Sequence, residues 1–191
     1  LAEEGDEVIV PSPYWVTYPE LAKFCGAKNV FVETKPENGY KMTAEELEKA
    51  ITPKTKLLIL NSPNNPSGAV YSAETLRRMA ALLLQNQQYT DAREIFAALG
   101  AYKDAATQLK ACDYAIALQK KETGQLDEAA ALLESISGYS DADEQLKIVR
   151  YAQGEKAVAD SLSLAAAQFF TQAGDYSDAA DRAAAQYAAY Y

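Results

Sequence analysis

The stretch Asn61-Ser62-Pro63-Asn64-Asn65-Pro66-Ser67-Gly68 follows directly on the apolar run Leu57-Leu58-Ile59-Leu60. Prolines on both sides preset the backbone of this turn, so the Asn65 carboxamide is expected to wait as a fixed hydrogen-bonding group at the end of a buried strand. Other groups able to move protons or bind metal are scarce. The chain has no histidine, which excludes Ser-His-Asp triads, Cys-His pairs and imidazole metal sites. Cys25 and Cys112 have no Cys-x-x-Cys arrangement, so no zinc site, redox pair or disulfide framework is predicted. Both read as small buried apolar residues.

The elements that must position such a turn differ along the chain. All seven prolines fall within the first 66 of the 191 residues. Charge shifts too: 9 basic against 11 acidic residues through position 81 give a net of −2, and the remaining 9 basic and 16 acidic residues give −7. Two regions are expected, 1–81 and 82–191. With 49% hydrophobic residues the chain has ample material for a core. Its net charge of −9 and lack of any Lys/Arg run argue against nucleic acid or anionic membrane as partners. No apolar stretch is long enough to span a bilayer and no leader is evident, so a cytoplasmic protein is expected, and the start at Leu1 reads as that of a fragment or a processed chain.

The first region alternates β-branched or continuously apolar runs, 6–10, 28–33 and 56–60, with helical patterns. Thr43 and Glu46 form a capping box for a helix that stops before Pro53. The order β-α-β-α-β predicts a partial parallel sheet of three strands with right-handed crossover helices, and only two or three helices are available to cover strands that are apolar on both faces.

The second region is helical and repeats every 37 residues. Tyr102, Tyr139 and Tyr176 keep that step, as do Phe96, Leu133 and Phe170, and Ala105, Ala142 and Ala179. A second start within each unit, Tyr89-Thr90-Asp91-Ala92 and Leu126-Asp127-Glu128-Ala129, makes each unit a helical hairpin. Tyr and Phe are expected to wedge between helices, and Ser140, Ser177 and the Asp after each to cap helix starts. The pattern resembles tetratricopeptide-like helical repeats, although that family's usual period is 34. The resemblance implies an all-α solenoid binding protein or peptide on a concave face. Recurrence of the same residues at every unit argues for stacking and against catalysis.

Pro13-Tyr14-Trp15, the strands and Asn65-Pro66-Ser67-Gly68 together closely resemble the large domain of class I/II aminotransferases, the aspartate aminotransferase-like pyridoxal-phosphate enzymes, from Leu1 to about Met79. Singly, Asn65 reads as a turn asparagine and Trp15 as a core aromatic; their order and spacing carry the resemblance. It implies that Asn65 hydrogen-bonds the phenolate oxygen of the cofactor ring and that Trp15 stacks on its face. A pyridoxal ring is an electron sink whose plane and oxygen must be held, which explains these residue types. The family also needs a Schiff-base Lys in a Ser-x-x-Lys segment, an Asp against the pyridine nitrogen and a late Arg. This sequence has no such segment: after Ser72–Ala80 it runs into the repeats.

The expected function is therefore an incomplete aminotransferase fragment joined near residues 80–84 to a repeat interaction module, not catalytically competent and not retaining the cofactor. The join is equally compatible with a natural fusion, a designed chimera or two joined reading frames. The alternative is a pyridoxal-phosphate transaminase, moving an amino group from amino acid to 2-oxo acid, completed by another chain or by flanking sequence. An uncovered strand edge is expected to favour self-association.

Overall fold

The structure, a computed structural model, describes residues 2–191. It forms two compact units, one ending at Leu109 and the other running from Lys110 to Tyr191. The division falls inside one helix, so each unit is described by itself.

The first unit carries three strands, β1 (Glu7–Ser12), β2 (Lys28–Glu33) and β3 (Thr55–Leu58), all parallel in the order β2-β1-β3. Central β1 is the most apolar strand, and its Val8, Ile9 and Val10 are fully buried. Each such side chain contributes about 1.5–3 kcal/mol on leaving water. Alternation sends Val8 and Val10, with Leu57 and Ile59, toward helix α1 (Thr17–Phe24) and its Ala22. Ile9 and Leu58 turn to the opposite face. Helices α2 (Ala44–Ala50) and α3 (Ala73–Gln85) bury Leu47, Met79 and Leu83.

Local signals start these helices as expected. Thr43 Oγ1 accepts the Glu46 N–H and the Glu46 carboxylate accepts the Thr43 N–H, completing the capping box. Ser72 caps α3 through the Thr75 N–H at 3.1 Å, and α3 runs unbroken across residues 80–84. Helix α4 (Tyr89–Leu99) follows and packs on α3. It belongs to the unit that holds the sheet. Strand β2, an edge, is only partly buried, with Phe31 48% exposed. Too few helices cover the sheet, as expected: α1 has only eight residues to spread over three strands, and full burial is concentrated in β1.

Helix α5 (Ala105–Glu122) contains the division. The second unit continues with α6 (Leu126–Ser135), α7 (Ala142–Ala159), α8 (Ser163–Ala173) and α9 (Ala179–Tyr190). One core gathers Ala117, Ala129, Leu133 and Val149, with Tyr114 and Tyr139 against it; another gathers Ala166, Phe170 and Ala179, with Tyr151 and Tyr176. The 37-residue step recurs in the backbone. Gln87, Gly124 and Ser161 are left-handed, as are Lys103, Ser140 and Ser177.

Two expectations fail. Ser140 and Ser177 cap nothing, because positive φ turns them away from the helix start, and the N-cap residues Asp141 and Asp178 make no side-chain cap bond either. Their carboxylates instead accept the phenol O–H of Tyr114 and Tyr151, each at 2.5 Å. Cys25, read as buried, is exposed at the end of α1, while Cys112 is buried. No helix among the described residues is long and apolar enough to cross a membrane.

Candidate functional site

In open parallel sheets ligands sit beyond the C-terminal ends of the strands. Here β1 runs out into Pro11–Trp15, and β3 into Ile59 and the Asn61–Val70 turn. The Ile59 N–H still donates to Ile9 O at 3.0 Å, so the two exits stay side by side. The peptide bonds before Pro13, Pro63 and Pro66 are cis.

The residue that fixes the turn is Asn64. Its side-chain amide donates to Pro13 O at 2.9 Å and to Ser67 Oγ at 2.8 Å, and its main chain pairs with Gly68 and Ala69. Gly68 needs its positive φ of 68° there, which a side chain would resist. The Tyr71 N–H donates to Ser62 Oγ at 3.1 Å, and the Tyr71 hydroxyl accepts the Met42 N–H at 3.0 Å. Burial pushes the Tyr71 phenol above its ordinary pKa. Across the exits, Tyr14 stacks on Phe31 with centroids 5.1 Å apart.

Trp15 is 46% exposed just before α1, and Asn65 is exposed on the turn. The reading of Trp15 as a core aromatic therefore gives way to a surface position. Neither residue lines the space at the strand ends, which Pro11, Pro13, Tyr14, Tyr40, Asn64 and Tyr71 help to close. That space measures about 10 Å³, the room of about one water. A pyridine ring with its phosphate does not fit in that space. Asn64 escaped the sequence reading because an identical residue follows it, and only the reach to Pro13 distinguishes the two.

A second constellation lies at the outer edge of β3. The Asp91 carboxylate accepts the Leu58 N–H at 2.8 Å. Burial, with Glu94 nearby, raises its pKa to about 6. Among the described residues no three His, Cys, Asp or Glu side chains converge on a metal-sized site.

Comparison with known proteins agrees with the first region. Residues 1–137 match the family Aminotransferase class I and II. The aspartate/prephenate aminotransferase of Thermus thermophilus is 50% identical over 96 residues, covering 50% of this chain and 25% of that protein. The aspartate aminotransferase of Bacillus subtilis is 44% identical over 96 residues, 50% of this chain and 24% of that protein. A solved Thermus thermophilus aspartate aminotransferase with maleate is 53% identical, with a TM-score of 0.44 over 44% of this chain and 22% of the other. The chain spans about a quarter of the length of these curated relatives.

Proposed function

Because the chain belongs to the class I and II aminotransferases, we propose that it is an incomplete pyridoxal-phosphate aminotransferase fragment joined to a helical-repeat module that binds protein or peptide, and that it has no transaminase activity of its own. The observation that carries this reading lies in the sequence, where no lysine stands in a Ser-x-x-Lys segment. The space at the strand ends measures about 10 Å³ and is lined by neither Trp15 nor Asn65. Trp15 and Asn65 keep the residue types of the ring-stacking and phenolate-bonding positions, and both are exposed. For the repeat module, support comes from the 37-residue recurrence of left-handed turns and of the Tyr114–Asp141 and Tyr151–Asp178 bonds. A tetratricopeptide-like solenoid over 82–191 is the architecture we assign to it.

The test is to titrate the purified chain with pyridoxal phosphate and follow absorbance, then add aspartate or glutamate. The expected result is no saturable band and no amino transfer. A stoichiometric band that disappears in both Asn65→Ala and Trp15→Ala would overturn the proposal.

A further inference from the structure

The outer edge of β3 borders a cleft of about 330 Å³ within the first unit, at the lower end of the range that holds small ligands. One wall is extended chain, since Leu58 and Leu60 line it at alternate positions. Leu76 of α3 and Ile95 of α4 supply the other apolar walls, and Asp91 and Glu94 supply the only charges. Asp91 is 9% exposed, and one of its oxygens is taken by the Leu58 N–H. The other has no partner among the described residues. Glu94 also has none, and the only charge that registers on Asp91 is that second carboxylate. A carboxylate so placed lacks what buried charges ordinarily have, a countercharge.

We propose that this cleft binds a lysine side chain carried by an extended polypeptide segment lying along β3. An ammonium is preferred to a guanidinium because Asp91 has a single oxygen to offer, which cannot match the bidentate fork of arginine. The apolar walls suit a four-carbon stem whose head reaches the carboxylates. An extended segment is the carrier because the strand edge continues past Leu58: neither the N–H nor the C=O of Leu60 has a hydrogen-bond partner among the described residues. Main-chain pairing with an added strand satisfies such groups. Bound ammonium would also supply Asp91 with its missing countercharge. Leu58, Leu60, Ser62, Leu76, Ile95 and Ala98, the other residues facing the cleft, carry no charge. Any pH dependence of binding between 5 and 7.5 therefore belongs to Asp91.

Fluorescence anisotropy on the full chain with the labelled peptide acetyl-Val-Thr-Lys-Val-Thr-amide tests this. Affinity should rise about tenfold from pH 5 to 7.5 as Asp91 ionises, and replacing the peptide lysine by norleucine should weaken binding at pH 7.5 about tenfold or more. Asp91→Asn, which keeps an acceptor for the Leu58 N–H, should lose the pH dependence and a similar factor. Ile95→Arg, which places a cation in the cleft, should abolish binding; if Asp91→Asn does not fold, this variant and the pH series decide. Equal affinity for the norleucine peptide, or unchanged binding by the variants, would overturn the site. Butylammonium binding as tightly as the peptide would overturn the assignment to a polypeptide.

Discussion

Asp91, in the first turn of α4, holds the peptide N–H of Leu58 on β3 at 2.8 Å. A helix side chain thus takes the acceptor position that a neighbouring strand's carbonyl fills in a longer sheet. The carboxylate's raised pKa is mainly desolvation, which the single hydrogen bond only partly offsets.

The sign of the resulting pH dependence is opposite to that of a salt-bridged acid. The folded chain holds the Asp91 proton up to about pH 6, whereas the unfolded chain releases it near 3.8. Asp91 therefore costs nothing below pH 4, and its cost grows as pH rises through 6, to about 3 kcal/mol at most at pH 7.5. Asp91→Asn should raise the denaturation midpoint of the first unit at pH 7.5 and make no difference at pH 4. A variant less stable than the parent at pH 7.5 would show that ionised Asp91 is stabilising and contradict the desolvation argument.

Tyr114 gives the reverse case. Its phenol donates to Asp141, and that bond, with the carboxylate's charge, pushes its pKa up to about 12. The same bond holds the Asp141 carboxyl below its ordinary value. Stability from the pair is present at neutral pH. It fades in acid as pH falls through the lowered Asp141 pKa, and in alkali as pH rises through about 12. Absorbance titration near 295 nm should find one tyrosine ionising about two units above the ordinary value of about 10. That component should vanish in Tyr114→Phe and move down in Asp141→Asn; an unmoved component in Asp141→Asn would place the cause elsewhere.

Gly154 and Phe170 set helix propensity against packing. A methyl on Gly154, inside α7, would stand 2.7 Å from the fully buried Phe170 ring. Alanine gains about 1 kcal/mol of helix propensity, but overpacking a core costs about 1–3 kcal/mol. The ring is also held by Arg182, 4.5 Å from its centroid, and by an edge-to-face contact with Tyr151. Packing should win. Gly154→Ala is expected to destabilise the second unit by up to about 2 kcal/mol and to become neutral or stabilising in a Phe170→Leu background. Additive effects of the two substitutions in denaturant melts would show that they do not meet.

What could be read from the sequence follows the range of the interactions involved. The Thr43–Glu46 box and the bounds of β2 rest on residues a few positions apart, and the structure reproduces them. The period placed Asp91 and Glu128 at equivalent positions, yet Glu128 is exposed and pairs with Lys120 at 2.8 Å. Periodicity reports the helix and its buried face, while the partner of a given position depends on what lies across from it. The left-handed turns at Ser140 and Ser177 escaped for another reason. Serine before aspartate ordinarily signals a cap, and here the aspartate is drawn to a tyrosine 27 residues earlier in each repeat.

The bond from Leu58 to Asp91 also determines where the chain can be cut. Residues 1–81 contain all three strands but neither the end of α3 nor α4, so β3 loses its cover and the Leu58 N–H its acceptor. An uncovered strand edge is a template for pairing with another chain. Residues 1–109 keep both. Size-exclusion chromatography with light scattering should find 1–81 self-associated or aggregated and 1–109 monomeric, and Asp91→Leu in the longer segment should shift it toward association. The edge of β2, with half-exposed Phe31, is present in both segments and so does not enter the difference. If both segments associate equally, pairing runs through β2 and the cover provided by α4 is irrelevant to it. If 1–81 is monomeric and melts cooperatively, three strands with α1, α2 and the first part of α3 are a domain in themselves, and α4 is an addition to a finished core.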